Sequence, residues 1–195
     1  KVANKRALLY FIIIFFCSCT AIISPLQTGK FEVKILDETI SLADGTVLPL
    51  KRWLPKGKAP KAILLGIHGF NDYSNAFFDP GTFLAENFGI GLFAYDQRGF
   101  GAAKNRGDWA GIDVYIDDAK VIILTLKKRY PNLPIFIFGE SMGAAIAIGV
   151  MGSLRPPQVD GTILMAPAVW ARQTMPWYQR IALWLGANLI PWVTV

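Results

Sequence analysis

A serine between two glycines is the residue of this sequence best placed to do chemistry. Ser141 is the centre of Gly-Glu-Ser-Met-Gly, within the run IFIFGESMGAAIAIG at residues 135–149. Gly-x-Ser-x-Gly between a buried strand and a helix is typical of a nucleophile elbow, a tight and strained turn that exposes a serine hydroxyl. Gly139 and Gly143 would leave room there for the neighbouring strand and helix. The alternative is an ordinary strand-to-helix turn in which the serine is incidental.

A second motif would serve the same reaction from another loop. The run IHGFNDYS at residues 67–74 follows an apolar stretch. Acyl transfer to a serine needs N–H donors for the developing oxyanion, one just after the nucleophile and one from a separate loop. The pattern predicts the backbone N–H groups of Met142 and Phe70 as those donors, with Gly69 letting the loop approach. We expect His68 to brace this loop by hydrogen bonding; its use as a general base is the alternative.

Alternating strand and helix patterns must position these residues. Four runs predict strands, of which the first two are expected to be buried: AILLGIHGF, IGLFAYDQRG, LPIFIFG and DGTILMAP. Three runs between and after them predict helices: PGTFLAENFG, IDVYIDDAKVIILTLKKRY and SMGAAIAIGVMGSL. FEVKILD and VLPLKRWLP flank ADGT and predict a hairpin. The sequence therefore predicts an α/β fold with a mainly parallel sheet, flanking helices and an antiparallel hairpin at its start.

Three motifs together resemble the α/β-hydrolase superfamily. HGFNDYS, YDQRGFG and GESMGA occur in this order and spacing, and they are most similar to the monoacylglycerol lipase and bacterial lysophospholipase group, also called serine aminopeptidase-like. The resemblance covers about residues 31–167. It implies an α/β-hydrolase core there, with Ser141 as nucleophile and Phe70 and Met142 as oxyanion donors.

The same resemblance gives meaning to two further regions. Asp96, Arg98 and Gly99 match a structural turn of the family, and Phe100 stands where many members have histidine. The tryptophan-rich segment at residues 168–195 is similar to the beginning of a helical cap over the acyl pocket. Four of its apolar side chains have the spacing of one helix face: Trp177, Ile181, Trp184 and Leu185.

The general base that Ser141 would need is missing from these 195 residues. The chain has one histidine, His68, and the only acidic residue after Ser141 is Asp160. Asp160 precedes a predicted strand, so we expect it at the wrong edge of the sheet, away from the carboxyl ends where sites form. The family's triad runs serine, acid, histidine. We therefore expect the last strands, the acid and the histidine on sequence that is not here, and the lack of an initial Met points to a missing start. A natural pseudoenzyme with an exposed sheet edge is the alternative.

The resemblance implies a serine ester hydrolase that acts on lipid-like acyl esters, such as a monoacylglycerol or lysophospholipid. A peptidase or thioesterase of the same fold is an alternative, because fold does not fix substrate. A second class is a non-catalytic, membrane-bound acyl-binding protein. No cofactor or metal is implied, since the metal-ligand spacings of Cys, His and carboxylates are lacking. The net charge of +6 is not clustered and accompanies no nucleic-acid motif, so we expect no nucleic-acid partner.

The first 26 residues predict a signal peptide or membrane anchor. Basic residues precede an apolar run from Ala7 to Ile23 that Ser-Pro ends. Cys19, in Phe-Cys-Ser-Cys, faintly resembles a lipoprotein processing site. A buried core helix is the alternative, although the run has no polar face. We expect the folded part to be membrane-associated or exported, in a bacterial periplasm or cell envelope.

Overall fold

The computed structural model describes residues 31–169 and 175–189, except for the side chain of residue 187. These residues fall into two compact units, with residues 31–169 in one and residues 175–189 in the other. The predicted signal or anchor and Cys19 lie outside the described residues. Within the described ranges, no helix is both long and apolar enough to cross a bilayer.

The first unit is a seven-stranded sheet flanked by helices. The strands are β1 (Lys34–Ile35), β2 (Thr39–Ser41), β3 (Val47–Trp53), β4 (Ala62–Ile67), β5 (Ile90–Tyr95), β6 (Ile135–Glu140) and β7 (Gly161–Met165). The helices are α1 (Phe78–Phe88), preceded by a 3-10 turn (Ser74–Phe77), α2 (Ile112–Arg129) and α3 (Met142–Met151). The second unit contains α4 (Trp177–Leu189). The predicted helices are all present, and Gly89 ends α1 in the left-handed conformation with φ 72°.

The sheet has the order β1-β2-β3-β5-β4-β6-β7. Strands β5, β4, β6 and β7 are parallel, whereas β1, β2 and β3 pair antiparallel, and β3 joins β5 antiparallel. This arrangement confirms the predicted α/β fold class. The sequence predicted that FEVKILD pairs with β3 in a hairpin. This prediction was wrong, because β2 is the strand that pairs with β3 across the turn. The turn at Gly45, with φ 83°, is tight, so it joins the residues nearest to it.

Both faces of the central strands are covered, which explains why their sequences are continuously apolar. Ile63, Leu65 and Ile67 of β4 pack into one cluster with residues of α2 and α3. Leu64 faces the opposite cluster, where Phe77 lies. Alternate side chains of a strand point to opposite faces, so a strand between two helical layers needs apolar residues at every position.

The topology sets where a site can form. After β4 the chain moves to β5 on one side, and after β5 it crosses to β6 on the other side of β4. Ligands of open α/β sheets bind beyond the carboxyl ends of the strands, at the point where the strand order reverses. The residues that follow β4 and β6 are His68 and Ser141, so both candidate loops begin at this point.

Strand β7 is more exposed than its apolar sequence indicates. Ile163, Leu164 and Met165 are 47%, 42% and 44% exposed. Within residues 31–169 and 175–189, β7 has a neighbour on one side only, β6. Its side chains therefore lack the cover that β4 has.

Candidate active site

The turn at Ser141 is strained. Its backbone has φ 50° and ψ −113°, a conformation that a residue with a side chain rarely adopts. Two hydrogen bonds to the end of β7 and the segment that follows it hold this turn. The Ser141 N–H donates to the Met165 carbonyl (2.9 Å), and the Ala168 N–H donates to the Ser141 carbonyl (3.1 Å). Strain of this kind costs about 1–3 kcal/mol and persists only where the surroundings impose it.

Neither glycine of the motif has room for a side chain. A Cβ on Gly139 would lie 2.6 Å from the Cα of Ala144, so β6 and α3 touch there. A Cβ on Gly143 would overlap the carbonyl oxygen of Ile67 and lie 2.7 Å from that of His68. The start of α3 is therefore pressed directly against the end of β4, which keeps the serine beside the loop that follows β4.

That loop abuts the serine. A Cβ on Gly69 would lie 3.3 Å from the Cβ and 3.9 Å from the Oγ of Ser141. The Phe70 N–H, one residue on, donates to no acceptor among the described residues. Met142 is the first residue of α3, where N–H groups have no partner within the helix. The structure thus brings the predicted serine, the loop and the helix start together.

His68 is fully buried, and both of its ring nitrogens are in hydrogen bonds. The Gln97 backbone N–H lies 3.0 Å from Nε2, and Nδ1 lies 2.7 Å from the Gly69 carbonyl oxygen. An amide N–H can only donate, so Nε2 accepts and Nδ1 carries the proton. Burial lowers the pKa of His68, although the Gly69 carbonyl and the charges of Asp96 and Asp72 partly oppose this. The neutral ring has no free nitrogen with which to deprotonate Ser141.

The His68 hydrogen bond orients the loop through one peptide plane. The carbonyl that Nδ1 binds belongs to Gly69, and the N–H of the same peptide unit belongs to Phe70. A peptide bond is planar and trans, so its C=O and N–H point in opposite directions. Fixing the Gly69 carbonyl therefore fixes the direction of the Phe70 N–H.

The turn after β5 forms hydrogen bonds with the same loop. The buried Asp96 carboxylate accepts from the Ser74 N–H (2.9 Å) and from the Ala102 N–H (2.8 Å). The Gln97 side chain donates to the His68 carbonyl oxygen at 2.9 Å. Sequence reasoning assigned no role to Gln97; its place directly after Asp96 at a strand end was the available signal.

Arg98, in the turn after β5, connects this turn with α2 and with the hairpin turn before β3. Its guanidinium makes a two-pronged contact with Asp118 of α2 (2.6 and 2.9 Å) and also reaches Asp44 (2.7 Å) and Thr46 (2.9 Å) in the hairpin turn. Burial by itself would lower the pKa of Arg98, but its hydrogen bonds to Asp118 and Asp44 outweigh burial and raise it. Arg98 therefore stays charged. The Tyr115 hydroxyl donates to the Arg98 carbonyl (3.0 Å), which ties the turn to α2 a second time.

Asp160 lies away from these groups. Its carboxylate accepts from the Ile135 N–H and its own N–H donates to the Ile135 carbonyl, both at 2.8 Å. Ile135 begins β6, so Asp160 sits at the amino ends of the strands, the opposite edge from Ser141. Across residues 31–169 and 175–189, no group of three His, Cys, Asp or Glu side chains could hold a metal ion.

Comparison with known proteins decides the family. The family described as serine aminopeptidase, S33, matches residues 58–195, which is more than half of the chain. The chain belongs to this family. The three sequence motifs predicted this serine aminopeptidase-like group of the α/β-hydrolase superfamily. The predicted superfamily placement is therefore confirmed.

Among curated relatives, monoglyceride lipase of Mus musculus is 32% identical over 130 residues, which are 66% of this chain and 42% of that protein. Phospholipase YtpA of Bacillus subtilis is 31% identical over 121 residues, 60% of this chain and 44% of that protein. The chain thus spans less than half the length of these two relatives.

A solved structure supports the fold. A soluble variant of monoglyceride lipase from Saccharomyces cerevisiae, in complex with a substrate analog, superposes with a TM-score of 0.59 at 23% identity. The superposed region covers 84% of this chain and 54% of the yeast chain. At that identity the likeness is evidence for the α/β-hydrolase fold.

Proposed function

We propose that the whole protein is a serine hydrolase that cleaves lipid-like acyl esters, such as monoacylglycerols or lysophospholipids. One observation carries the proposal: the strained Ser141 turn lies against a loop whose Phe70 N–H is open and oriented by His68. Monoglyceride lipases and a phospholipase among the relatives favour an ester of a fatty acid as substrate.

In this reaction the Ser141 Oγ forms a bond to the ester carbonyl carbon, and the Phe70 and Met142 N–H groups stabilise the oxyanion. The C–O bond to the alcohol then breaks, leaving an acyl-enzyme that water hydrolyses. A base takes the serine proton and returns it to the leaving alcohol. His68 cannot do this with both nitrogens in use. We propose that a histidine outside these 195 residues, oriented by an acid, is the base.

A fluorophosphonate probe tests the nucleophile in the whole protein. The probe forms a phosphonyl ester with an activated serine and releases fluoride, so we expect mass spectrometry to place the adduct on Ser141. Ser141→Ala should abolish labelling, and heat-denatured protein is the control for non-specific reaction. Labelling that survives Ser141→Ala at another residue would show that the nucleophile is elsewhere. A folded protein that does not label would favour the non-catalytic acyl-binding alternative.

A peptidase is the second candidate because the matching family carries the description serine aminopeptidase. Lipid esterase and peptidase activity are distinguished by comparing hydrolysis of a monoacylglycerol and a lysophospholipid with hydrolysis of aminoacyl p-nitroanilides. We expect turnover of the lipid esters to dominate. Preferential release of p-nitroaniline, lost in Ser141→Ala, would replace the lipid-ester proposal with peptidase activity.

We also propose that the first 26 residues hold the protein at a membrane or direct its export. The support is the basic start and the apolar run from Ala7 to Ile23. A version that starts at Gln27 should fold and remain in the soluble fraction, because the sheet begins only at Lys34. The comparison is fractionation of cells that express either version. A Gln27 version that fails to fold, beside a longer one that succeeds, would make this segment part of the core.

A further inference from the structure

Phe100 lies against the loop that carries the proposed oxyanion donor. Its ring is 9% exposed and makes edge-to-face contacts with His68 (centroids 5.6 Å apart, 74°) and with Phe70 (5.5 Å, 77°). On another side it packs against Tyr115 of α2 at 6.3 Å. One ring therefore touches both side chains that flank Gly69.

The turn that presents this ring has little freedom to move. Gly99 and Gly101 on either side have φ 76° and 57°. A Cβ on Gly99 would overlap the carbonyl oxygen of Asp108, and one on Gly101 would overlap the Asp96 carboxylate. The Phe100 N–H also donates to the Gln97 carbonyl at 2.9 Å. The backbone of the turn is thus fixed by close contacts on both sides of Phe100.

Tyr115 backs the ring from α2 and is itself held. Its hydroxyl donates to the Arg98 carbonyl at 3.0 Å and accepts from the Ala110 N–H at 3.2 Å. The side chain of Phe100 is therefore confined between α2 and the loop after β4.

Phe70 has few other restraints. Its side chain is 55% exposed, and its N–H has no acceptor among the described residues. The hydrogen bond from His68 fixes the peptide plane on the Gly69 side, and the contact with Phe100 is the ring contact that restrains the Phe70 side chain. The two restraints act on opposite sides of the donor N–H.

We infer that Phe100 is a positioning residue, which keeps the Phe70 N–H directed at the oxyanion through its contacts with the Phe70 and His68 rings. This inference rests on the proposed function. Edge-to-face contact needs a flat ring with a positive edge, which an aliphatic side chain of similar volume does not supply. Phe100→Leu should therefore loosen the donor while leaving the site otherwise assembled.

The test compares Phe100→Leu with Phe93→Leu in the whole protein. Phe93 is a fully buried ring of β5 that packs on Tyr130, so its change controls for loss of core packing. Steady-state kinetics on p-nitrophenyl butyrate give kcat and KM, and a trifluoromethyl ketone, which forms a tetrahedral adduct with the serine, gives an inhibition constant. Urea unfolding of each variant measures the stability that it has lost.

For Phe100→Leu we expect kcat to fall about ten-fold with little change in KM, since displacing a catalytic group by about 1 Å can cost up to roughly 100-fold. The inhibition constant of the ketone should rise by the factor that kcat/KM falls, because both report oxyanion binding. Phe93→Leu should change neither. Phe70→Ala removes the same ring contact by deleting the exposed partner of Phe100. It should therefore lower kcat and raise the ketone inhibition constant in the same way, even if Phe100→Leu does not fold.

An unchanged kcat in both Phe100→Leu and Phe70→Ala, or an equal fall in Phe93→Leu, would overturn the positioning role. A ketone inhibition constant that stays constant while kcat falls would do so as well. These outcomes need a parent protein that labels at Ser141 and hydrolyses the ester. A folded parent that does neither would overturn the proposed function and the inference with it.

Discussion

The position of Ser141 depends on the lack of a side chain at Gly143. A Cβ there would overlap the Ile67 carbonyl oxygen, a backbone atom that cannot rotate away. We expect Gly143→Ala to force α3 away from β4 and to slow fluorophosphonate labelling of the whole protein about 100-fold. Forced repacking of this kind also costs about 1–3 kcal/mol of stability.

Gly152, at the other end of α3, is the matched control. Its backbone has φ −83°, which alanine adopts readily. Gly152→Ala should leave the labelling rate near that of the parent. A parent-like rate in Gly143→Ala would show that the contact between β4 and α3 does not hold the serine.

His68 should make stability depend on pH. Its folded-state pKa is lowered below the ordinary 6.5, so the unfolded chain binds its proton first as pH falls. The stability that neutral His68 contributes is therefore complete above pH 6.5 and is lost as pH falls towards the folded-state pKa, with a slope of up to about 1.4 kcal/mol per pH unit.

The measurement is urea unfolding between pH 7.5 and 5.5. His68→Asn keeps a donor for the Gly69 carbonyl but has no titrating ring, so its free energy of unfolding should vary less over this range than that of the parent. Equal slopes for both proteins would mean that another group titrates on unfolding.

Arg98 connects elements that are distant in sequence, namely the β2–β3 turn, the turn after β5 and α2. Its side chain is 15% exposed, with Asp118 at 9% and Asp44 at 13%. Removing one partner of a buried ion pair leaves the others uncompensated, so Arg98→Met should lower the free energy of unfolding by about 3–5 kcal/mol. Arg98→Lys should recover only part of this, because an ammonium cannot make the two-pronged contact.

Arg52 is the control for this ion pair. It bonds Asp37 at 2.6 Å, but the Asp37 side chain is 86% exposed. An exposed pair contributes about 0–1 kcal/mol, so Arg52→Met should be nearly neutral in the same urea titration. Similar losses for the two variants would refute the idea that Arg98 joins these elements.

The whole molecule carries apolar surface outside the sheet. Trp177 and Trp184 of α4 are 72% and 48% exposed, and Ile181 lies on the same side of the helix by periodicity. Exposed apolar patches favour aggregation or membrane contact. Replacing both tryptophans with glutamine should raise the soluble yield of the 195-residue chain. Leu183→Gln changes an exposed residue on another side of α4 and should have a smaller effect.

The same tryptophan changes test the predicted cap in the whole protein. If this helix face lines an acyl pocket, kcat/KM on long-chain esters should fall more than on acetate esters, because only long chains reach it. Equal losses on both substrates would favour simple packing of the helix.

Local patterns were enough to predict much of the fold and the loops that meet at the candidate site. The continuous apolar runs before His68 and Ser141 predicted strands covered on both faces, since every position of such a strand meets a helical layer. Gly-x-Ser-x-Gly predicted a tight turn, because only small residues fit where a strand reverses into a helix. Strand β2 was missed, since three residues are too few to show an alternation.

Only the tertiary structure decided the contacts between loops. Parallel pairing of the strands brings these loops to the same edge of the sheet. Gln97 and Phe100 reach the His68 loop because β4 and β5 lie side by side and end together, and Arg98 reaches Asp44 through the pairing of β3 with β5. No spacing in the sequence encodes these pairs, because they depend on strand order and register. The tautomer of His68 follows from the same cause, since the amide that donates to its Nε2 comes from another strand end.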